Sequence, residues 1–143
     1  MTVAFHDNIP DEFIGFAVII ARHNGKWVFC KHRQRSTWEC PGGHREAVED
    51  LLTAARRELY EETGALDYSI RPLFIYSVTG KNSINPTGNT SYGMLYYADI
   101  FSFEPQLHSE IEYIRLFDTL PDNWTYPQIQ PLLFEDLQRR GMI

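Results

Sequence analysis

Residues 43–65 read GHREAVEDLLTAARRELYEETGA, and their spacing organises everything around them. From Leu51 to Glu62 the stretch is rich in Ala, Leu, Arg and Glu, the residues that lose least on entering a helix. Asp50 stands where a side-chain oxygen would cap the first turn, and Gly64 lies just past the end. The pattern predicts a helix of three turns. With Glu58 set at zero and 100° per residue, Glu61 falls at about 300° and Glu62 at about 40°, so the carboxylates of Glu58, Glu61 and Glu62 share one arc. Leu52, Ala55 and Leu59 fall at about 120°, 60° and 100° on the same wheel, which puts the acids beside the face expected to pack. Like charges at these spacings cost about 0.2–0.5 kcal/mol per pair even in water, and more where water is partly excluded. Something must offset that repulsion. Arg57, four residues before Glu61, is one answer. A hard divalent cation such as Mg²⁺ or Mn²⁺, which prefers oxygen ligands, is the other.

Working outward, Trp38-Glu39-Cys40-Pro41-Gly42 leads into this stretch, and Pro-Gly-Gly permits backbone angles closed to other residues. Upstream, apolar runs over Glu12 to Ala21 and Lys26 to His32 flank Asn24-Gly25, a hairpin signal. Downstream, strand-like stretches run from Tyr68 to Thr79 and from Ser91 to Phe103, separated by a polar loop from Lys81 to Asn89. The second is apolar on both alternating sets, so it must be covered on both faces. A further strand is expected over Glu112 to Phe117. Pro131 suits the first turn of a C-terminal helix reaching Arg140 and stopped by Gly141. These elements predict an α+β fold in which one mixed sheet lies between helices, with residues 1–143 as a single domain.

Composition narrows the function. The chain has 143 residues, with Lys and Arg totalling 13 against 19 Asp and Glu, a net charge of −6 at pH 7. Such a balance argues against a duplex nucleic-acid binder, whose affinity rests on cations neutralising phosphates. A small phosphorylated substrate carried in with a metal is compatible with it. The most apolar run, Phe13 to Ala21, is far short of the roughly 18 residues of a membrane span. No signal-like apolar region follows the N-terminus, so the mature chain is expected to begin near Met1. Cys30 and Cys40 lack metal-site spacing and read as core thiols, which suits a reducing, cytoplasmic location. The five histidines likewise lack metal spacing.

From Gly43 through Glu49, Arg57, Glu58, Leu59, Glu61, Glu62 and Gly64 to Ala65, the stretch resembles the Nudix box, G-x5-E-x7-R-E-U-x-E-E-x-G-U, where U is aliphatic. Chance produces such a match about once in 10⁹ start positions at ordinary residue frequencies. Ala65, smaller than the usual aliphatic, is the one departure. The resemblance implies the Nudix fold, a mixed β-sheet sandwiched between helices, and cleavage of a diphosphate bond in a nucleoside diphosphate-linked substrate. By position, Glu58, Glu61 and Glu62 would be metal ligands, supplemented by the Gly43 carbonyl. Arg57 would orient a box carboxylate, and Glu49 would support the loop or an outer metal shell. The base for the attacking water would be Glu58 or Glu61, or Glu110 or Glu112 on a separate loop. Mg²⁺ is the implied cofactor, with Mn²⁺ as a substitute.

Arg33 and Arg35, with His32, in the loop after the second strand, are candidates for substrate contact together with Gly42 and Gly43. Among Trp27, Trp38, Phe74, Tyr76, Tyr92, Tyr96 and Tyr97 are enough aromatics to stack a base. The chain looks most like the mutator-type branch, which hydrolyses nucleoside triphosphates, oxidised purine forms such as 8-oxo-dGTP included, to monophosphate and diphosphate. Alternatives keep the chemistry on a 5′-triphosphate RNA end or a nucleotide sugar, or keep only the scaffold as a non-catalytic nucleotide-binding module. Homodimers are common in the family.

Overall fold

The computed structural model describes residues 1–80, 88–105 and 111–143, with 111–113 described by backbone alone. The expected polar loop from Lys81 lies outside those residues up to Gly88. Where the Asn-Gly signal falls, β2 (Ile14–His23) and β3 (Lys26–His32) pair antiparallel with His23 opposite Lys26. Asn24 and Gly25 take φ of 51° and 77°, the left-handed pair of a tight two-residue turn. Beyond the Pro-Gly step, β4 (Gly42–His44) lies against β2. A Cβ on Gly42 would sit 2.5 Å from the Ala17 carbonyl oxygen, so glycine is what permits that approach.

The helix α1 spans Leu51–Thr63. The Asp50 carboxylate accepts the Thr53 N–H at 2.7 Å, and Gly64 closes the other end at φ 74°, donating its N–H to the Tyr60 carbonyl. Three strands complete the long part of the sheet: β5 (Ala65–Thr79), β6 (Ser91–Phe103) and β7 (Ile111–Phe117). At the termini lie β1 (Thr2–His6) and α2 (Gln130–Arg139), with Pro131 in the first turn of α2. The strand order is β1-β5-β6-β2-β3-β7, with β4 attached to β2; β2 and β6 run parallel and the other pairs antiparallel.

Alternation along β2 feeds both faces of this sheet. Phe16, Val18 and Ile20 pack with Leu133, Phe134 and Leu137 of α2, whereas Ala17, Ile19 and Ala21 join Leu51, Ala55 and Leu59 of α1. Side chains of that size, fully buried, contribute about 1.5–3 kcal/mol each, so each helix is pinned by apolar contact with its own face. Both cysteines are buried free thiols. No helix among the described residues is long and apolar enough to cross a membrane.

Some expectations need correction. The strand expected from Tyr68 begins at Ala65, and neither β1 nor β4 was foreseen. Leu52, expected on the packing face, is 42% exposed; Leu51, Ala54, Ala55 and Leu59 are buried instead, together with Glu62. The sheet meets the helix along an arc centred nearer Ala55 than Leu59, which leaves Leu52 at its rim.

Removing the Asp50 cap by Asp50→Ala is expected to lower stability. In urea titration this should appear as a lower midpoint with an unchanged slope. An unchanged midpoint would show that the capping hydrogen bond contributes nothing.

Candidate active site

On α1 two of the acids, Glu58 and Glu61, are held by a single guanidinium. Arg57 grips Glu49 through two parallel bonds, Nε to Oε2 at 2.8 Å and Nη2 to Oε1 at 2.9 Å. Its Nη1 donates to Glu58 Oε1 at 2.8 Å and to Glu61 Oε2 at 3.3 Å, and Nη2 also reaches the His44 carbonyl. Such paired, charge-assisted bonds are geometrically specific as well as strong. Arg57 therefore ties the loop before α1 to the acids on its third turn. The same contacts hold the Glu49 carboxyl down to about 2, hydrogen bonding to Arg57 being the main cause.

Glu58 is the opposite case. Burial, then the neighbouring charge of Glu62, push its carboxyl up to about 7 against the pull of Arg57. Its carboxylate lies directly against Gly43, where a Cβ would sit 2.5 Å from Cδ and Oε1. A side chain at residue 43 would push the Glu58 carboxylate out of this position. Glu62, 8% exposed, points the other way round the helix and accepts the Gly42 N–H at 2.6 Å. Its second oxygen is 3.6 Å from His32 Nε2, which in turn lies 3.7 Å from Glu39 Oε1. Hydrogen bonding to Glu62 raises the His32 imidazole, and burial raises the Glu39 carboxyl.

Beside these acids, on the α2 face of the sheet, lies a cavity of about 250 Å³. Phe16, Tyr76, Tyr126 and Ile129 supply its apolar walls, Glu39 and Gln130 its polar ones, and Gly42 and Gly43 its border with the acidic helix. Phe16 can lie flat because residue 93 is glycine, where a Cβ would meet the ring at 2.1 Å.

The residues singled out in the sequence are distributed as follows. Glu49, Arg57, Glu58, Glu61, Glu62, Gly42 and Gly43 converge on one side of β4 and α1. Arg35 bonds two residues of the cavity wall, donating to Glu39 Oε1 at 3.2 Å and to the Tyr126 hydroxyl at 3.4 Å. Arg33 is exposed on the neighbouring turn. Glu110 and the side chain of Glu112 lie outside the described residues. Sequence reasoning placed His32 with Arg33 and Arg35 for substrate contact, whereas the structure sets it between Glu39 and Glu62; it passed over Glu39, Tyr126 and Gln130. Glu39 was within sight, inside the Trp-x-x-Pro-Gly-Gly lead-in; Gln130 carried no signal, because its partner Cys40 is far away in the chain.

Whether these groups suit a divalent cation turns on donor chemistry. Carboxylate oxygens with one carboxyl raised by burial and by a neighbour's charge are what a hard cation relieves. Among the described residues no three His, Cys, Asp or Glu side chains already converge on a common point. Glu58 and Glu61 are turned toward Arg57, and Glu62 toward Gly42. The donor set fits in kind, with Arg57 sharing the acids.

Comparison with known proteins places these features in a lineage. Residues 12–127 match the NUDIX domain. The chain is 38% identical over 106 residues to "Putative 8-oxo-dGTP diphosphatase YtkD" of Bacillus subtilis (strain 168); the matched stretch is 73% of this chain and 63% of that protein, so the chain spans less than two-thirds of that curated relative. The crystal structure of the Bacillus subtilis pyrophosphohydrolase BsRppH superposes with a TM-score of 0.77 at 29% identity, covering 98% of this chain and 90% of that one. A NUDIX hydrolase from Nitrosomonas europaea, 20% identical, shares the fold at a TM-score of 0.65 over 90% of this chain and 89% of its own.

The Glu58 carboxyl sets a pH dependence in metal-free buffer. Its value rises from 4.5 to about 7 on folding, so between those values the folded chain holds a proton that the unfolded chain has released. Stability from this group is full below the lower value and is lost as pH climbs through the upper one. Glu58→Gln keeps the shape without the charge. In EDTA it is expected to leave Tm near wild type at pH 5 and to raise it by about 3–6 °C at pH 8. An equal difference at both pH values would refute the burial of charge at this position.

Proposed function

The chain belongs to the NUDIX domain family, and from that membership we propose that it hydrolyses a nucleoside triphosphate of the 8-oxo-dGTP type to monophosphate and diphosphate. Residues 1–143 act as one hydrolase domain on a small nucleotide, with Mg²⁺, or Mn²⁺ in its place, as cofactor. The observation that carries this reading is the cluster of Glu58, Glu61 and Glu62, marshalled by Arg57 and backbone N–H beside an aromatic cavity. The substrate preference is supported by the likeness to YtkD.

Glu58, Glu61 and Glu62 would hold the cation, with the Gly43 carbonyl beside them. When bound, the cation supplies charge screening for the diphosphate and a water acidic enough to attack it. The chain's own residues do the rest. Arg57 keeps Glu58 and Glu61 on one arc, and Glu49 keeps Arg57 in place. Arg35, at the cavity's edge beside Glu39 and Tyr126, offers a cation to a phosphate oxygen, and Arg33 lies exposed close by. The candidates to accept the proton of the attacking water are Glu58, Glu61, Glu110 and Glu112. The walls of Phe16, Tyr76 and Tyr126 suit a flat base.

Diphosphate release should be followed from 8-oxo-dGTP, dGTP, ADP-ribose and 5′-triphosphate RNA. Turnover is expected with Mg²⁺ and not with EDTA, with the highest kcat/KM on 8-oxo-dGTP. Glu61→Gln should lower kcat about tenfold or more while leaving the far-UV spectrum unchanged. Wild-type turnover in that variant would overturn the ligand assignment, and turnover confined to RNA ends would move the substrate.

A further inference from the structure

The cavity holds a polar side chain whose orientation the chain itself fixes. Gln130 is 5% exposed, and its Oε1 accepts the buried Cys40 N–H at 2.8 Å. A backbone N–H can only donate, so the atom facing it must be the amide oxygen. The NH₂ end is thereby left as the free end of the amide, and among the described residues no group accepts its protons. Pro131 and the Gln130 N–H bond to the Tyr126 carbonyl anchor the backbone at this point. Gln130 therefore stands in the cavity wall as a donor with no freedom to become an acceptor.

Glu39 provides the complement. It precedes Cys40, lines the same cavity, is 6% exposed and keeps Arg35 on Oε1. A carboxylate has about four acceptor positions, so the bond to Arg35 leaves capacity for another donor. A fixed donor and a carboxylate acceptor on one wall match a heterocycle edge carrying C=O next to ring N–H. Aromatic rings of Phe16, Tyr76 and Tyr126 bound that space, whose 250 Å³ falls just under the roughly 300–1,000 Å³ of drug-sized sites and suits a single flat ring system.

We propose that Gln130 is a specificity-determining residue that selects an oxo-substituted base, guanine or its oxidised form, over an amino-substituted one such as adenine. An amino group at that edge would bring donor against donor and leave both unpaired, which is how polar sites reject near-isosteres. Ile129 and Gln130 lie beyond residues 12–127, the part matching the NUDIX domain. The proposal rests on the nucleotide reading above and refines it.

The test uses binding of monophosphates to the full chain, which needs no turnover. GMP is expected to bind about tenfold or more tightly than AMP. Gln130→Glu keeps an oxygen for the Cys40 N–H and replaces the cavity-facing donor by an acceptor, so the GMP/AMP ratio should fall to about one or below. In the unaltered protein, the Gln130 side-chain NH₂ resonances should shift with GMP and not with AMP, a readout that stands even if the variant fails to fold. A GMP/AMP ratio near one in the wild type, an unchanged ratio in a folded Gln130→Glu, or unmoved amide resonances would each overturn the role of Gln130. Absence of hydrolysis on every nucleotide would instead overturn the activity proposed above.

Discussion

Repulsion among Glu49, Glu58, Glu61 and Glu62 is the constraint that shapes this protein, and Arg57 is what contains it. An isolated surface ion pair is worth at most about 1 kcal/mol, too little to order several acids by itself. Here the guanidinium is only partly exposed, is doubly bonded to Glu49 and is shared with Glu58 and Glu61. One rigid fork thus sets the relative positions of three carboxylates. The containment is incomplete, since Glu58 still sits near 7 with burial and Glu62 opposing its charge. A folded chain that keeps such a cluster has stored unfavourable charge, and the relief of that charge by a cation is the physical basis for treating α1 as a binding element.

The Pro-Gly-Gly step is the second part of the arrangement, because it serves both faces of the sheet. Gly43 gives its missing side chain to Glu58, and Gly42 gives its N–H to Glu62, both on the α1 side. The residues just before, Glu39 and Cys40, turn to the α2 side and meet the cavity and Gln130. Strand β4 is only three residues long, so the sheet stops where those two regions adjoin. A nucleotide, with a flat apolar end and an anionic end, has matching chemistry on either side of that short strip. A base and a phosphate bound in that way would be linked through a few covalently adjacent residues, which would leave little slack between them.

What the sequence disclosed divides by the range of the interaction. The hairpin at Asn24-Gly25, the Asp50 cap, the Gly64 stop and the acidic arc all rest on contacts within a turn or two, and these are legible from spacing. The sheet order is not, because β2 and β6 meet in parallel across most of the chain. Nor are β1 and β4, whose five and three residues are too few to show a period. Gln130 escaped for the same reason, its bond to Cys40 spanning 90 positions. Arg35 was legible as a cation in a suitable loop, yet its neighbours Glu39 and Tyr126 come from distant segments that only folding assembles.

Glu61 and Glu62 show how far local reading extends. They are adjacent, chemically identical and equally required by the motif, but the side chain of Glu61 is 46% exposed and that of Glu62 only 11%. The difference is one of phase. Ala54, Leu51, Ala55 and Leu59 fall at about 320°, 20°, 60° and 100° on the wheel, so Glu62, at about 40°, lies near the middle of the buried arc, while Glu61, at about 300°, lies just past its edge. An acid inside the packing arc of a helix is costly unless something on the far side accepts it. Gly42 does, through its N–H, in a strand that glycine lets lie close against β2. The burial of Glu62 therefore implies a backbone donor facing the helix, and the glycine pair before the helix is where such a donor can stand.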